Sequence, residues 1–241
     1  ASASAADAPS SPRALRQFAR AADQLGLEPP FVERSDYARV AEFDALFIRE
    51  TTRVDHHTYR FARRAEAEGL VVVDDPRSIV QCANKVYQAE LLSRHDIPTP
   101  KTVIAHERNR DGLIEQLGLP IVLKQPDSSF SVGVVKAHDA AELERELDRL
   151  LEESDLVLAQ EFVKTDFDWR VGVLGGEPLY ACRYFMARAH WQILKHGGAP
   201  GDYSSGKVET LAVEDAPRNV VRTAVRAAKL MGDGLYGVDL K

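Results

Sequence analysis

A lysine at the end of an apolar strand, followed at once by a hydroxyl-rich loop, is the part of the sequence best suited to bind a polyanion. Lys124 follows the apolar run at 121–123. The loop after it contains small hydroxyl residues and a glycine, namely Ser128, Ser129, Ser131 and Gly133. Backbone N–H groups and serine hydroxyls can surround phosphate oxygens, and the ammonium group supplies a point charge. The segment predicts a phosphate cradle, with an outward lysine on an edge strand as the alternative.

Two arginines could bind a second anionic group. Arg170 and Arg183 are separated by 13 residues across a Gly-Gly turn. If the two strands pair, both guanidinium groups can lie on one face. There they could stabilise a transferring phosphate or clamp a carboxylate with two parallel hydrogen bonds. The alternative is a pair of ordinary surface arginines in a sheet. The neighbouring histidines His56 and His57 are a weaker signal, because no third ligand follows at metal-site spacing.

The elements that must position these residues indicate an α/β chain. Strand, helix and strand in the order 43–48, 58–68 and 70–73 predict a small parallel α/β unit. The continuous apolar run at 70–73 is typical of a strand buried on both faces. Strands at 121–124 and 133–137 flank the cradle, and those at 169–174 and 178–185 read as a hairpin. The predicted divisions are a tail and helix (1–30), the parallel unit (31–80) and two further lobes (81–157 and 158–241).

Composition excludes several classes of function. The 241 residues are 44% apolar and 28% charged, as in ordinary globular proteins. A net charge of −6 argues against nucleic acid as the main partner. Only Cys82 and Cys182 occur, so we expect a reduced, cytoplasmic protein without a disulfide framework. No apolar run approaches the ~20 residues that span a membrane, and the small-residue start at 1–10 favours a linker over a signal peptide.

Four motifs beside the cradle occur in a recognisable order. They are Asn84-Lys85 with Ile97-Pro98-Thr99-Pro100, then Gln160-Glu161-Phe162-Val163, then Asp168-Trp169-Arg170 with Arg183-Tyr184, and Gly237-Val238-Asp239-Leu240-Lys241. Read together over residues 44–241, they resemble the ATP-grasp superfamily and, within it, the RimK-like carboxylate–amine ligases. The resemblance implies an α/β fold of α+β lobes, each with an antiparallel sheet and helices, after a small parallel pre-ATP-grasp unit.

The resemblance also implies nucleotide-binding roles. Lys85 resembles the first nucleotide lysine, directed at the phosphates, although a lysine at a helix start is usually just solvated. Lys124 resembles the second, between the phosphates and the adenine edge. The hinge on which adenine would sit comprises Gln160, Glu161, Phe162 and Val163. Asp168 would bind the ribose hydroxyls, with Lys164 and Asp166 as open alternatives.

The same resemblance implies a metal and a reaction. Arg170, Arg183 and the two lysines would oppose developing negative charge. Asp239 would be the first ligand of Mg²⁺ (or Mn²⁺) bound to ATP. In the family a second strand with a Glu-x-Asn pair follows this aspartate, and no such pair lies between Asp239 and Lys241, so we expect this stretch alone to be inactive. A carboxylate would attack the γ-phosphate of ATP, and an amine would then displace phosphate from the acyl phosphate.

Two rival functions use the same features. An ATP-grasp phosphotransferase would need no amine acceptor, and a non-catalytic ATP-binding module of a longer chain would need no turnover. The expected partners are ATP and a small-molecule or peptide carboxylate and amine, by family analogy. We expect neither nucleic acid nor membrane as a partner. A homo-oligomer is compatible with the sequence.

Overall fold

The computed structural model describes residues 10–127, 133–188, 190–196 and 203–241. The chain divides into two compact units, residues 1–80 and 81–241. Among the described residues, no helix has the length and apolar character to cross a membrane. The helices are α1 (Pro12–Gln24), α2 (His57–Ala67), α3 (Pro76–Ala83), α4 (Lys85–Arg94), α5 (Leu113–Leu117), α6 (Ala140–Leu151) and α7 (Arg218–Met231). Short 3-10 helices lie at Arg34–Glu42, Arg110–Gly112 and Val213–Asp215.

The first unit contains the predicted parallel pair. Strands β1 (Ala45–Phe47) and β2 (Val71–Val73) are parallel, and α2 connects them. The buried residues of α2, among them Phe61, Ala62 and Ala65, form the centre of the unit's core. The expectation that the second strand is buried on both faces is wrong, because Val71 is 69% exposed. Side chains alternate between the faces of a strand, and Leu70 and Val72 pack against the core on the same face.

The second unit begins with a four-stranded antiparallel sheet, here called the lysine sheet. Its strands, in spatial order, are β3 (Thr102–Ala105), β6 (Val157–Glu161), β4 (Ile121–Lys124) and β5 (Val134–Ala137). Leucines of α5 and α6 pack on one face, and Leu113, Leu143, Leu147 and Leu150 are all almost fully buried. Since β6 runs to Glu161 within this sheet, a division after residue 157 would cut through a strand. The sheet extends a few residues further than the predicted lobe.

A second antiparallel sheet, here called the arginine sheet, completes the second unit. Its spatial order is β11 (Val208–Leu211), β8 (Glu177–Phe185), β7 (Phe167–Leu174) and β12 (Leu235–Leu240). The turn between β7 and β8 has Gly175 and Gly176 at φ 57° and 79°, the left-handed region that tight hairpins need. Helix α7 covers one face through Ala224 and Ala228. A two-stranded ribbon, β9 (Leu194–His196) and β10 (Tyr203–Ser205), stands apart from both sheets.

The two antiparallel sheets with their helices, after a parallel α/β pair, confirm the predicted fold class. Helix boundaries differ from the sequence expectations for local reasons. The stretch from Pro76 to Arg94 forms two helices and not one, because Asn84 is extended and caps the second one by accepting a hydrogen bond from the Tyr87 N–H. That break sets the direction of α4, and Lys85 is its first residue.

Candidate nucleotide-binding site

Lys124 lies in the interior of the lysine sheet. Strand β4 is hydrogen-bonded to β6 on one side and to β5 on the other, so the edge-strand alternative is wrong. The Lys124 Nζ donates to Gln160 Oε1 at 2.7 Å, and Gln160 Nε2 donates to Thr102 Oγ1 at 2.7 Å. Burial is the main reason that the pKa of Lys124 falls from 10.5 to about 8. The partner of this ammonium is therefore a neutral amide.

The loop after Lys124 is closed at its base. Gln125 N–H donates to the Gly133 carbonyl at 3.3 Å, and Gly133 has a left-handed φ of 66°. The Lys85 N–H donates to the Pro126 carbonyl at 2.9 Å, which fixes the start of α4 to the same loop. Lys85 and the cradle are thus held together by backbone. The predicted ligands Ser128, Ser129 and Ser131 lie outside the described residues.

Two further lysines contribute to the charge around Lys124. Repulsion from Lys85 and Lys241 adds to the lowering of the Lys124 pKa, and Asp168 partly opposes it. The pKa of Lys85 is also lowered, first by burial, with Asp127 acting in the opposite direction. Three ammonium groups therefore influence one small region, which would favour a polyanion.

Asp168 lies within this lysine cluster. Its Oδ1 accepts from Lys241 Nζ at 2.8 Å and from Thr165 Oγ1 at 2.9 Å. Lys241 was not assigned a role from the sequence, because its neighbours Thr165 and Asp168 are more than 70 positions away. The predicted ribose ligand is thus engaged with a lysine, and a sugar hydroxyl would share its carboxylate with Lys241.

The hinge residues form the end of β6 and the turn that follows. Glu161 N–H donates to the Lys101 carbonyl at 2.9 Å, and the Lys101 N–H donates to Glu161 Oε1 at 2.7 Å. This reciprocal pair attaches the hinge to the segment preceding β3. One carboxylate oxygen of Glu161, a residue of the predicted adenine hinge, is therefore bound to backbone.

An aromatic pair lies next to the hinge. The Phe162 ring packs edge-to-face against Trp191 with centroids 5.9 Å apart. The ammonium of Lys136, from β5, lies 4.3 Å from the Phe162 centroid and 5.0 Å from that of Trp191. Phe162 was predicted as part of the adenine hinge, whereas Trp191 and Lys136 were not identified from the sequence. In the ligand-free protein the Lys136 ammonium occupies one face of the Phe162 ring.

Arg170 and Asp239 are paired with each other in the arginine sheet. They lie opposite each other on β7 and β12. Arg170 Nε donates to Asp239 Oδ1 and Nη2 donates to Oδ2, both at 2.6 Å. This bidentate pair is the main cause of a raised pKa for Arg170. The predicted catalytic arginine and the predicted metal ligand therefore form one unit.

Arg183 lies on the opposite face of the arginine sheet from Arg170. Its register partner on β7 is Trp169, whereas that of Arg170 on β8 is Cys182, and successive residues of a strand alternate between the two faces. The expectation that both guanidinium groups lie on one face is therefore wrong.

The contacts of Arg183 are mainly aromatic. Its Nε lies 3.9 Å from Glu209 Oε2, beyond hydrogen-bond distance. This buried Nε has no hydrogen-bond partner among the described residues. The guanidinium carbon lies 5.5 Å from the ring centroids of both Phe167 and Trp169, so the two rings hold the side chain in place.

The donor set of Asp239 is compatible with a magnesium ion. Mg²⁺ favours one or two carboxylates together with phosphate oxygens. The Asp239 side chain is half exposed, and its carboxylate pairs with Arg170. Because both oxygens accept from Arg170, a cation at Asp239 would either displace Arg170 or share the carboxylate with it.

Comparison with known proteins agrees with this geometry. The family model described as the RimK-like ATP-grasp domain matches residues 82–241. A probable alpha-L-glutamate ligase of Marinomonas is 26% identical over 93% of this chain and 78% of its own length. The alpha-aminoadipate–LysW ligase of Saccharolobus solfataricus is 29% identical over 73% of this chain and 62% of its own length.

Solved structures share the fold. The RimK domain ATP-grasp protein of Sphaerobacter thermophilus superposes with a TM-score of 0.67 at 20% identity, over 93% of this chain and 80% of that one. A D-alanine–D-alanine ligase of Bacillus anthracis complexed with ATP gives a TM-score of 0.63 at 16% identity, over 95% and 78%. At such identity the likeness concerns the fold alone. The family-model match covers most of the chain, and the chain belongs to the RimK-like ATP-grasp family.

Proposed function

We propose that the protein is an ATP-dependent carboxylate–amine ligase. The observation that supports this most directly is the lysine cluster, in which the buried Lys124 has a neutral amide as its hydrogen-bond partner and two further ammonium groups nearby. Burial of an ammonium group without a counter-ion destabilises the ligand-free protein, and the charge of a bound polyphosphate offsets that cost. The related ligases named above are consistent with it.

We assign nucleotide roles on the same basis. Lys85 and Lys124 would bind the phosphates together with the loop before Gly133. The hinge at 160–163 would hold adenine, and Asp168 would bind the ribose. Asp239 would hold Mg²⁺, which neutralises phosphate charge when bound.

The proposed reaction has two steps. A substrate carboxylate oxygen forms a bond to the γ-phosphorus of ATP while the bond to the β–γ bridging oxygen breaks, giving an acyl phosphate and ADP. The amine nitrogen then bonds to the acyl carbon, inorganic phosphate leaves, and the amine loses a proton to solvent. The protein contributes positioning and charge neutralisation. Arg170 would stabilise the transferring group, whereas Arg183 lies on the opposite face of the sheet and would not reach that group.

The proposed substrates are amino acids or the carboxylate of a peptide. The relatives named for alpha-L-glutamate and alpha-aminoadipate ligation support an amino-acid substrate.

Trapping of the acyl phosphate tests the proposal. The intact protein is incubated with Mg²⁺-ATP, amino acids and hydroxylamine in place of the amine. We expect ADP and a hydroxamate to form in equal amounts, and neither to form with the Lys124→Met variant. A phosphotransferase would give a stable phosphorylated product without hydroxamate. ATP binding without ADP release under any carboxylate would instead indicate a binding module and contradict the ligase proposal.

A further inference from the structure

A group of three metal-ligating side chains lies in the first unit, far along the chain from every residue of the proposed ATP site. Glu50, His56 and His57 each offer one ligand atom, and these atoms all lie within 4.8 Å of one another. The third ligand that the sequence did not reveal is Glu50. It lies three residues beyond β1, whereas the two histidines immediately precede and begin α2. Adjacent parallel strands end at this edge, a common position for ligand sites in α/β units.

Glu50 and His57 are already in direct contact. His57 Nε2 lies 2.7 Å from Glu50 Oε2, and their side chains are only 16% and 13% exposed. In the metal-free protein a proton lies between these two atoms. A cation can replace that proton with the carboxylate and the imidazole as its first two ligands, because both become electron-pair donors when the proton leaves.

The hydrogen bonds of Thr58 hold the side chain of His56 at the start of α2. Thr58 Oγ1 donates its proton to the Thr51 carbonyl at 3.0 Å. His56 Nδ1 lies 2.9 Å from the same hydroxyl oxygen and accepts from the Thr58 N–H at 3.5 Å, as the cap of the helix. These contacts hold the imidazole beside Glu50 and His57, where it offers one ring nitrogen as a ligand.

The two imidazole rings are in contact and tilted relative to each other. Their centroids are 4.0 Å apart at an interplanar angle of 43°. Two protonated rings at this separation would repel each other, whereas two neutral rings can share one cation. The other charged groups of the segment are paired elsewhere, since Arg53 and Asp55 form a bidentate ion pair at 3.0 and 3.1 Å. The ligand set is therefore two imidazoles and one carboxylate.

We propose that Glu50, His56 and His57 form a binding site for one zinc-class divalent cation. Two imidazoles and a carboxylate are a ligand set that Zn²⁺ favours, and three protein ligands leave a fourth position for water or an anionic ligand. Mg²⁺ is a poor fit, because it prefers oxygen ligands and retains its waters. The site is thus chemically distinct from Asp239, and it does not depend on the proposed ligase activity.

Metal titration of the tag-free intact protein tests the site, with excess Mg²⁺ present to occupy oxygen sites. The probes are Zn²⁺ alone, measured by competition with a chromogenic chelator, and Co²⁺ alone, measured by visible absorption. We expect one Zn²⁺ per chain and Co²⁺ bands of four- or five-coordinate intensity. Zn²⁺ should also raise the Tm of the protein, since a ligand that binds only the folded state stabilises it.

Single substitutions identify the ligands. His57→Gln, Glu50→Gln and His56→Asn should each weaken Zn²⁺ binding by more than about tenfold, because loss of even an outer partner of a ligand costs 10–100-fold. His56→Asn retains a side chain that can cap α2. His138→Gln, at an exposed position outside the cluster, is the matched control and should bind as wild type.

Two results would overturn the proposal. One is the absence of stoichiometric Zn²⁺ binding and of Co²⁺ bands in the wild-type protein, a measurement that requires no variant to fold. The other is Zn²⁺ binding that the three variants and His138→Gln leave equally strong, which would place the ion elsewhere. Circular dichroism confirms that each variant is folded before its affinity is compared.

Discussion

The lysine sheet and the arginine sheet hold their functional cations in opposite electrostatic states. In the lysine sheet, Lys124 donates to the neutral amide of Gln160 and is repelled by Lys85 and Lys241. In the arginine sheet, Arg170 forms a bidentate pair with Asp239, and its pKa is raised by that carboxylate. One sheet has a cation that still requires an anion, and the other has a cation whose anion is already in place.

This difference suggests a division of labour in the proposed reaction. A buried cation without a counter-ion destabilises the free protein and favours binding of a polyphosphate. An ion pair such as Arg170–Asp239 destabilises the free protein less than an unpaired buried charge does. Each partner must, however, leave the other before it contacts phosphate or metal. We therefore expect substitutions in the lysine sheet to act mainly on nucleotide affinity. Substitutions in the arginine sheet should act mainly on the metal dependence and on the chemical step.

The largest effect is expected from Lys124→Met. The variant removes a charge-assisted contact to phosphate worth about 1.5–3 kcal/mol, so ATP affinity should fall by roughly 10- to 150-fold. It also removes a desolvated ammonium, so the Tm of the ATP-free protein should not fall. Isothermal titration calorimetry with ATP and a thermal melt without it measure the two quantities.

Lys229→Met is the matched control, because Lys229 is exposed on α7 and in the other sheet's layer. It should leave ATP affinity unchanged. If Lys124→Met bound ATP as tightly as this control, the interpretation of the lysine sheet as a phosphate site would be wrong.

Asp239→Asn should separate metal binding from nucleotide binding. The carboxamide is a poorer ligand for Mg²⁺, so the Mg²⁺ concentration needed for half-maximal turnover should rise by about tenfold or more. Affinity for ADP without Mg²⁺ should stay the same or rise, since Arg170 loses its carboxylate partner and can bind phosphate. Metal titration of turnover and calorimetry in EDTA give the two values.

Arg170→Ala is the complementary variant. It frees the Asp239 carboxylate, so Mg²⁺ should act at equal or lower concentration while the rate falls. Identical metal dependence in Asp239→Asn and wild type would contradict the role of Asp239.

The sequence predicted residues of these sites where the signal was local, and missed those brought together by the fold. Lys124 was recognisable because a lysine interrupts an apolar run just before a polar loop. Lys241 was not, because its partner Asp168 is 73 positions earlier and on a different strand. Glu50 was missed for the same reason, since only the fold places a residue beyond β1 next to the start of α2.

The sequence also did not indicate that two of the predicted site residues contact each other. Arg170 and Asp239 were assigned separate roles, but antiparallel pairing of β7 with β12 puts them opposite each other. Cross-strand register depends on turns and packing over the whole sheet. Whether a strand is buried on one face or on both depends on the layers that cover its sheet. For this reason Val71, which was predicted to be buried, is exposed.

The pH dependence should differ between the sheets, because the pKa of Lys124 is lowered toward the physiological range whereas that of Arg170 is raised. Its pKa is about 8 in the folded protein against an ordinary 10.5. Below pH 8 the lysine is charged, and ATP affinity should be constant. One unit above pH 8 about a tenth of Lys124 remains charged, so affinity should fall by up to about tenfold.

The stability of the ATP-free protein should change in the opposite direction. Between about pH 8 and 10.5 the unfolded chain holds a proton that folded Lys124 has lost, so the free energy of unfolding rises with pH. Lys124→Met should lack both trends. Calorimetry in buffers of different ionisation enthalpy should show proton uptake on ATP binding near pH 8.5 in the wild type. Its absence there would mean that Lys124 does not contact the nucleotide.

The smallest expected effect comes from a variant that gives Lys124 a carboxylate partner, as Arg170 has in the arginine sheet. Gln160→Glu places a carboxylate where Lys124 now contacts an amide oxygen at 2.7 Å, reproducing the ion pair of the arginine sheet. A partly buried pair of this kind should raise the pKa of Lys124 and compete with phosphate for it. ATP affinity at pH 7 should fall by roughly three- to tenfold, less than in Lys124→Met because the ammonium is still present.

The same variant should move the loss of affinity to higher pH, because a lysine with a carboxylate partner stays charged longer. Gln160→Met, which has no charge, is the control and should leave that pH midpoint at or below the wild-type value. The two effects of Gln160→Glu, weaker binding at pH 7 and a later midpoint, have one cause and must appear together. Weaker binding with an unchanged midpoint would show that Gln160 acts on adenine through the hinge and not through the charge of Lys124.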